Sequence, residues 1–345
     1  MRVSDRRGAS LALTLLACSA AALPSQEFRL SPLQRFGWED PAGPAGSTPA
    51  QRRLDGGMLS NIADLAEGAD GALYVLDNRS PKVIVFNRDG TVRRVMGNGK
   101  GEGPGEFSRP VSLAVAKNGD LFVADVAQQR ISVFAAGGAF TRSFTIASPY
   151  VSQIRLVGDR LHLIQYVFRK EAPAVLVYST SGALLEKKFP PTEEDASFGR
   201  TGNGYRAAIL RDGQLAIAHF NPGTWSLVES PAHVFGKPLV PGNTVHEVKA
   251  SGTWVAPATI RGFGELSEGR YALLFERLRP ETVDDPEHPR WDIYLALTRA
   301  DGTPLGTLKM PEGGRAFLVS RDGRSIYRSF GDPFVGIDRF RVDSR

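Results

Sequence analysis

Four arginines, Arg109, Arg206, Arg261 and Arg315, stand six to nine residues before a glycine-containing turn motif, and Asn61, Tyr150, Asn203 and Tyr205 hold matching or adjacent places. Guanidinium forks bind carboxylate, phosphate or sulfate through paired hydrogen bonds, and Tyr and Asn add neutral donors. If the fold brings these eight residues to one rim, they form a site for a small anionic molecule or an acidic peptide. A register slip of one residue would instead turn the same side chains into sheet interfaces or towards acidic loops.

Other chemistries find less support. The five histidines, His162, His219, His233, His246 and His288, contain no His-x-x-x-His pair, whereas zinc sites need three or four converging ligands. Glu281, Asp284, Asp285 and Glu287 lack the alternation and central glycine of a calcium loop and read as a solvated insertion. The run Gly97 to Gly103 has neither phosphate-binding spacing nor a following helix pattern, so it reads as a connector. No Gly-x-Ser-x-Gly elbow occurs, and the one cysteine, Cys18, lies in the N-terminal segment. Asp77 with Lys82, and Asp125 with Arg130, recur at equal spacing and are expected to be exposed, loop-fixing ion pairs.

The elements that must position the arginines are short strands. Asp70-Gly71-Ala72-Leu73-Tyr74-Val75-Leu76-Asp77, Lys82 to Phe86 and Asp89-Gly90 form one unit, and Asn118 to Asp125, Arg130 to Phe134 and Gly137-Gly138 repeat it. Further first turns fall at Gly158-Asp159, Asp212-Gly213, Glu268-Gly269 and Asp322-Gly323, giving separations of 48, 40, 54, 56 and 54 residues. A period near 40 to 55 signals a propeller array. Second turns are expected at Ser181-Gly182, near Ser230-Pro231 and at Asp301-Gly302. The sixth unit lacks a fourth strand, and Phe28 to Gly37 is the strand-like segment left to supply it, its Arg35-Phe36-Gly37 echoing Arg94-Val95-Met96-Gly97. The expected fold is therefore all-β: a six-bladed β-propeller with four-stranded antiparallel blades over residues 27–345, its last blade closed by an N-terminal strand.

Gly101 to Phe107, Arg109-Pro110, Leu113 to Val115, Asn118-Gly119, Phe122 to Asp125 and Arg130 to Phe134 resemble one complete NHL repeat. The chain thus resembles secreted six-bladed propellers of the NHL-repeat and TolB-like group. Propeller lyases of similar fold place histidines around the channel, which keeps His162 and His219 in view. Gluconolactonase-like propellers also resemble this fold and use a few oxygen ligands, for which Asn61, Asp64, Asn203 and Glu265 are nominated.

Residues 1–22 read as an export signal: Arg2, Arg6 and Arg7 precede an apolar run from Ala9 to Ala17, then small residues. Leu15-Leu16-Ala17-Cys18 resembles a bacterial lipobox, so Cys18 is a candidate for lipidation; cleavage after Ala22 is the other reading. Residues 1–17 hold three Arg and one Asp, so the formal charge of +5 falls to +3 without them. The remaining basic residues are scattered, against a nucleic-acid partner.

The function expected from the sequence is an exported, non-enzymatic envelope or extracellular scaffold. It would bind an envelope protein or a small anionic ligand, using loops over residues 190–203, 240–257 and 279–290, and would touch membrane only through a lipid anchor. No cofactor is called for. A divalent metal belongs to the competing reading, a metal-dependent hydrolase, lactonase or lyase with its ion in the channel.

Overall fold

Hairpins form where Asp-Gly or Asn-Gly divides two β-branched or aromatic runs, because the glycine takes a positive φ, 77° at Gly71 and 89° at Gly119, that other residues adopt only with strain. A computed structural model describes residues 28–37, 59–167, 172–188, 205–219, 223–237, 239–240, 246–248, 253–255, 258–279, 290–311, 313–331 and 335–344. The signal segment with Cys18, residue Asn203, the loop 190–203 and the acidic insertion Glu281 to Glu287 lie outside the described residues.

Strand β1 (Phe28–Phe36) comes first. Blade one holds β2 (Ile62–Glu67), β3 (Leu73–Asp77), β4 (Lys82–Phe86) and β5 (Val92–Met96); blade two holds β6 (Pro110–Val115), β7 (Leu121–Asp125), β8 (Arg130–Phe134) and β9 (Phe140–Thr145). Blade three holds β10 (Val151–Val157), β11 (Arg160–Gln165), β12 (Val175–Ser179) and β13 (Leu184–Lys188). Blade four holds β14 (Arg206–Ile209), β15 (Leu215–Ala218), β16 (Thr224–Leu227) and β17 (Ser230–Gly236), followed by a short hairpin, β18 (His246–Val248) and β19 (Thr253–Val255). Blade five holds β20 (Ala258–Glu265), β21 (Arg270–Leu278), β22 (Trp291–Arg299) and β23 (Pro304–Met310). The last three strands are β24 (Phe317–Val319), β25 (Ser325–Phe330) and β26 (Gly336–Ser344).

Each blade is a four-stranded antiparallel meander, and the sixth has the order β1-β26-β25-β24. The N-terminal strand therefore supplies the missing outer strand, as its sequence suggests. Phe36 is buried, as is Met96 at the end of β5, and Gly37 and Gly97 both have positive φ. The six inner strands, β2, β6, β10, β14, β20 and β24, pack side by side in that order, and β24 returns to β2. This closed ring makes the fold a six-bladed propeller. One expected turn shifts: blade four bends at Val228-Glu229, with Ser230-Pro231 opening β17, because Leu227 pairs with Ser230.

Burial follows position in the blade. β3 and β7 are buried along their whole lengths, whereas β5 and β9 are largely exposed. The core is a series of apolar seams between neighbouring blades, such as Tyr74, Leu76 and Val85 against Leu113, Leu121 and Val123. Each inner strand is thus held from both sides, which fixes what its side chains present to the channel.

Candidate anion site at the channel mouth

A β-bulge recurs in the inner strands. The pairing shifts between Ile62 and Asp64, Pro110 and Ser112, Val151 and Gln153, and Ile260 and Gly262. An inserted residue reverses the side-chain alternation beyond it, so residues before and within the bulge cannot be placed by counting alone. Asn61, Arg109 and Tyr150 do share one rim position: their carbonyls accept from the amides of Asn78, Val126 and Tyr166 at 3.0, 3.2 and 2.9 Å. Arg261 is the bulge residue of β20, and Arg315 lies just before β24.

Two of the expected arginines meet on a glutamate that sequence reasoning missed. Glu276, on β21, is 1% exposed. Its Oε2 accepts from Arg261 Nη2 at 2.6 Å and Nε at 2.8 Å, while Oε1 accepts from Arg315 Nε at 2.7 Å. The two guanidiniums differ in burial: 17% of the Arg261 side chain is exposed against 63% for Arg315. Burial lowers the pKa of Arg261, an effect opposed by Glu276 and reinforced by Arg315 and Arg206. Arg206 donates Nε to the Arg261 carbonyl at 3.2 Å, tying blade four to blade five.

A second buried ion pair joins blades one and three. Arg155 donates to Asp64 Oδ2 at 3.1 Å, and the same oxygen accepts from the Ser112 hydroxyl and from the Leu113 amide at 3.3 Å. Asp64 is therefore committed to Arg155, Ser112 and Leu113. Glu265 lies six positions after Thr259, the counterpart of Asn61, roughly 20 Å along the strand, and its Oε2 accepts from the Arg211 amide at 2.7 Å. The fold thus sets Glu265 far along its strand from the Asn61 position and commits Asp64 to an ion pair. No group of three or more His, Cys, Asp or Glu residues suited to a metal occurs among the described residues.

The expected site is split. Asn61 and Arg315 line one cavity of about 720 Å³ with Glu276, Arg279, Arg290 and Trp291. Tyr150 lines another of about 640 Å³ with Tyr166, Pro149, Pro173 and Lys187. Tyr205 is corrected to a core residue, 4% exposed among Ile164, Val175 and Ile217. Arg109 stays exposed on the rim. His162 and His219 are both buried, His219 on the Ser226 hydroxyl at 2.9 Å, and burial lowers the pKa of His162.

The Asp77 and Asp125 expectation is also corrected. Both are fully buried, and neither is an exposed ion pair. Asp77 accepts from the amides of Ser60, Asn61, Arg79 and Ser80, and Asp125 from those of Ser108, Arg109, Ala127 and Gln128. They fasten the start of each inner strand to the loop after the second strand. Arg130 instead holds the carbonyls of Glu102, Gly103 and Glu106, which fixes the glycine-rich connector.

Glu276 carried a signal: it ends the apolar run Ala272 to Phe275, where an ionised group needs a partner. Arg155, between Ile154 and Leu156, carried the same one.

Comparison with known proteins agrees with this fold. A family model described as a 6-bladed beta-propeller matches residues 57–189. A member of the DUF4221 family from Bacteroides vulgatus is similar in structure, with a TM-score of 0.61 at 12% identity, over 92% of this chain and 99% of that one. A Bacteroides fragilis protein provisionally described as exported has a TM-score of 0.57 at 12% identity, over 92% of this chain and 96% of its own. No curated protein matches the sequence significantly.

Proposed function

We propose that this chain is an exported, non-enzymatic binding scaffold of the bacterial envelope whose channel mouth receives an anionic group. The observation that carries this reading is the division of labour around Glu276. Its carboxylate is satisfied by Arg261 and by the Nε of Arg315, and the terminal nitrogens of Arg315 form no hydrogen bond among the described residues. Arg315 is exposed and lines the 720 Å³ cavity beside Asn61, while Arg279 on the same lining is ion-paired with Asp292 at 2.8 Å. With Glu276 held by Arg261 and Arg279 held by Asp292, the terminal nitrogens of Arg315 are the charge this recess offers a ligand. Export rests on the N-terminal signal pattern and on the likeness to a protein provisionally described as exported.

Titration calorimetry of the purified chain with phosphate, sulfate and acetate tests the reading. Binding of at least one is expected to weaken about tenfold in Arg315→Gln, as for loss of one charge-assisted contact, and to weaken with added salt. Absence of binding by all three, or indifference to the substitution, would overturn it.

A further inference from the structure

We infer that the group bound at the mouth is the carboxylate of a sugar acid, a uronate ring, an inference that rests on the anion reading above. With Nε on Glu276, Arg315 can offer only its two terminal nitrogens, side by side. That end-on fork matches the two oxygens of a carboxylate.

The rest of the recess is too large and too mixed for a bare anion. Its volume of about 720 Å³ suits a ligand with a body. One part of the lining is aromatic: Trp291 and Phe330, both half-buried. A pyranose presents C–H faces that pack on such rings. Another part is backbone at Gly313, Gly314 and Gly331. Buried Arg328 holds that wall, donating Nη2 to the carbonyls of Pro311 at 2.5 Å and Gly313 at 3.3 Å. Asn61 donates Nδ2 to Asn78 Oδ1 at 2.6 Å, and its own Oδ1 accepts no hydrogen bond among the described residues. Asn61 Oδ1 can therefore accept from a ring hydroxyl. An aromatic carboxylic acid would cover the same groups without pairing them, at a desolvation cost. Carboxylate, C–H face and hydroxyls belong together in a uronate.

The test titrates the whole mature chain with D-galacturonate, D-glucuronate, galacturonate methyl ester, galactose and acetate. At least one uronate is expected to bind tenfold or more tightly than its neutral or truncated relatives. Arg315→Gln is expected to erase the preference of acid over ester, and Trp291→Ala to weaken the uronate fivefold or more. Gly331→Leu supplies a second variant, since Gly331 lines the recess and a Cβ there meets nothing within 4 Å; it should abolish uronate binding with an unchanged Tm. If acetate binds as tightly as the uronates, with Arg315 required and Trp291 and Gly331 indifferent, the sugar-acid inference fails while the anion reading stands. If neither uronates nor simple anions bind in an Arg315-dependent way, both fail.

Discussion

Arg261 and Arg315 share one carboxylate but do different work, and their burial separates fold from site. Removing the charge of Glu276 leaves Arg261 largely buried with no counter-ion, a loss of about 3–5 kcal/mol by analogy with broken buried pairs. Glu276→Gln is therefore expected to lower the denaturant midpoint sharply, whereas Arg315→Gln, whose side chain is 63% exposed, should cost less than about 1 kcal/mol. Denaturant titration of the two variants side by side checks the contrast; equal losses would mean that Arg315 too belongs to the fold. His162 gives a pH prediction. Burial is the main cause of its lowered pKa, partly opposed by the backbone of Arg160. Below about pH 6.5 the unfolded chain binds a proton that the native state resists. Stability from this residue is thus intact above pH 6.5 and falls as the pH drops through and below it. His162→Phe should flatten the fall of the denaturant midpoint between pH 7.5 and 5; an unchanged slope would refute the assignment.

Single strands and turns were legible because their signals are local. Asp70-Gly71 and Asn118-Gly119 divide apolar runs within about ten residues, and their repetition suffices to count blades. The partners of Asp77 and Asp125 were not legible. Their neighbours at i+5, Lys82 and Arg130, suggested ion pairs, but the amides they bind include those of Ser60 and Ser108, each 17 residues upstream, brought close only by antiparallel pairing. The proposed anion site was half legible for the same reason. Position before the turn located Asn61 and Arg315, while the bulge at Arg261 and the partner Glu276 come from strand pairing that no local pattern encodes. Asp125→Ala leaves the amides of Ser108, Arg109, Ala127 and Gln128 without their acceptor. The expected cost is about 3 kcal/mol, from a buried charged acceptor with several donors. Amide hydrogen exchange should localise the loosening to the loop after β7 and the start of β6; a uniform change over all blades would argue against this anchoring role.

Across the whole molecule, adjacent blades are fastened by repeated contacts at the strand end that carries the hairpin turns. Arg94 on β5 donates to the Ala136 carbonyl at 2.6 Å, and Arg142 on β9 donates to the Thr180 carbonyl of blade three. On the inner strands at the same end, Glu265 accepts from the Arg211 amide and Glu67 from the Arg321 amide, both at 2.7 Å, the second bond joining blade six to blade one. Ring closure depends most on β1. Phe28 is buried with Leu266, Ala272 and Leu274 of blade five, and Phe36 with Leu65, Val75 and Ile84 of blade one. One strand therefore seals both seams of the sixth blade while pairing with β26 more than 300 residues away. Such long-range pairing makes closure a late, slow step in folding, and without it β26 is left as an exposed edge open to other chains. A chain beginning at residue 38 is expected to lose its single cooperative unfolding transition and to associate in solution. A peptide of residues 27–37 added in trans should restore the monomer and raise the Tm, as a ligand specific to the native state must. Each of Phe28→Ala and Phe36→Ala, which leave the strand but empty one seam, should cost about 3–5 kcal/mol. A truncated chain that stays monomeric and melts at the full-length temperature would show that five blades and three strands already hold the ring, and would remove β1 from its place as the closing element.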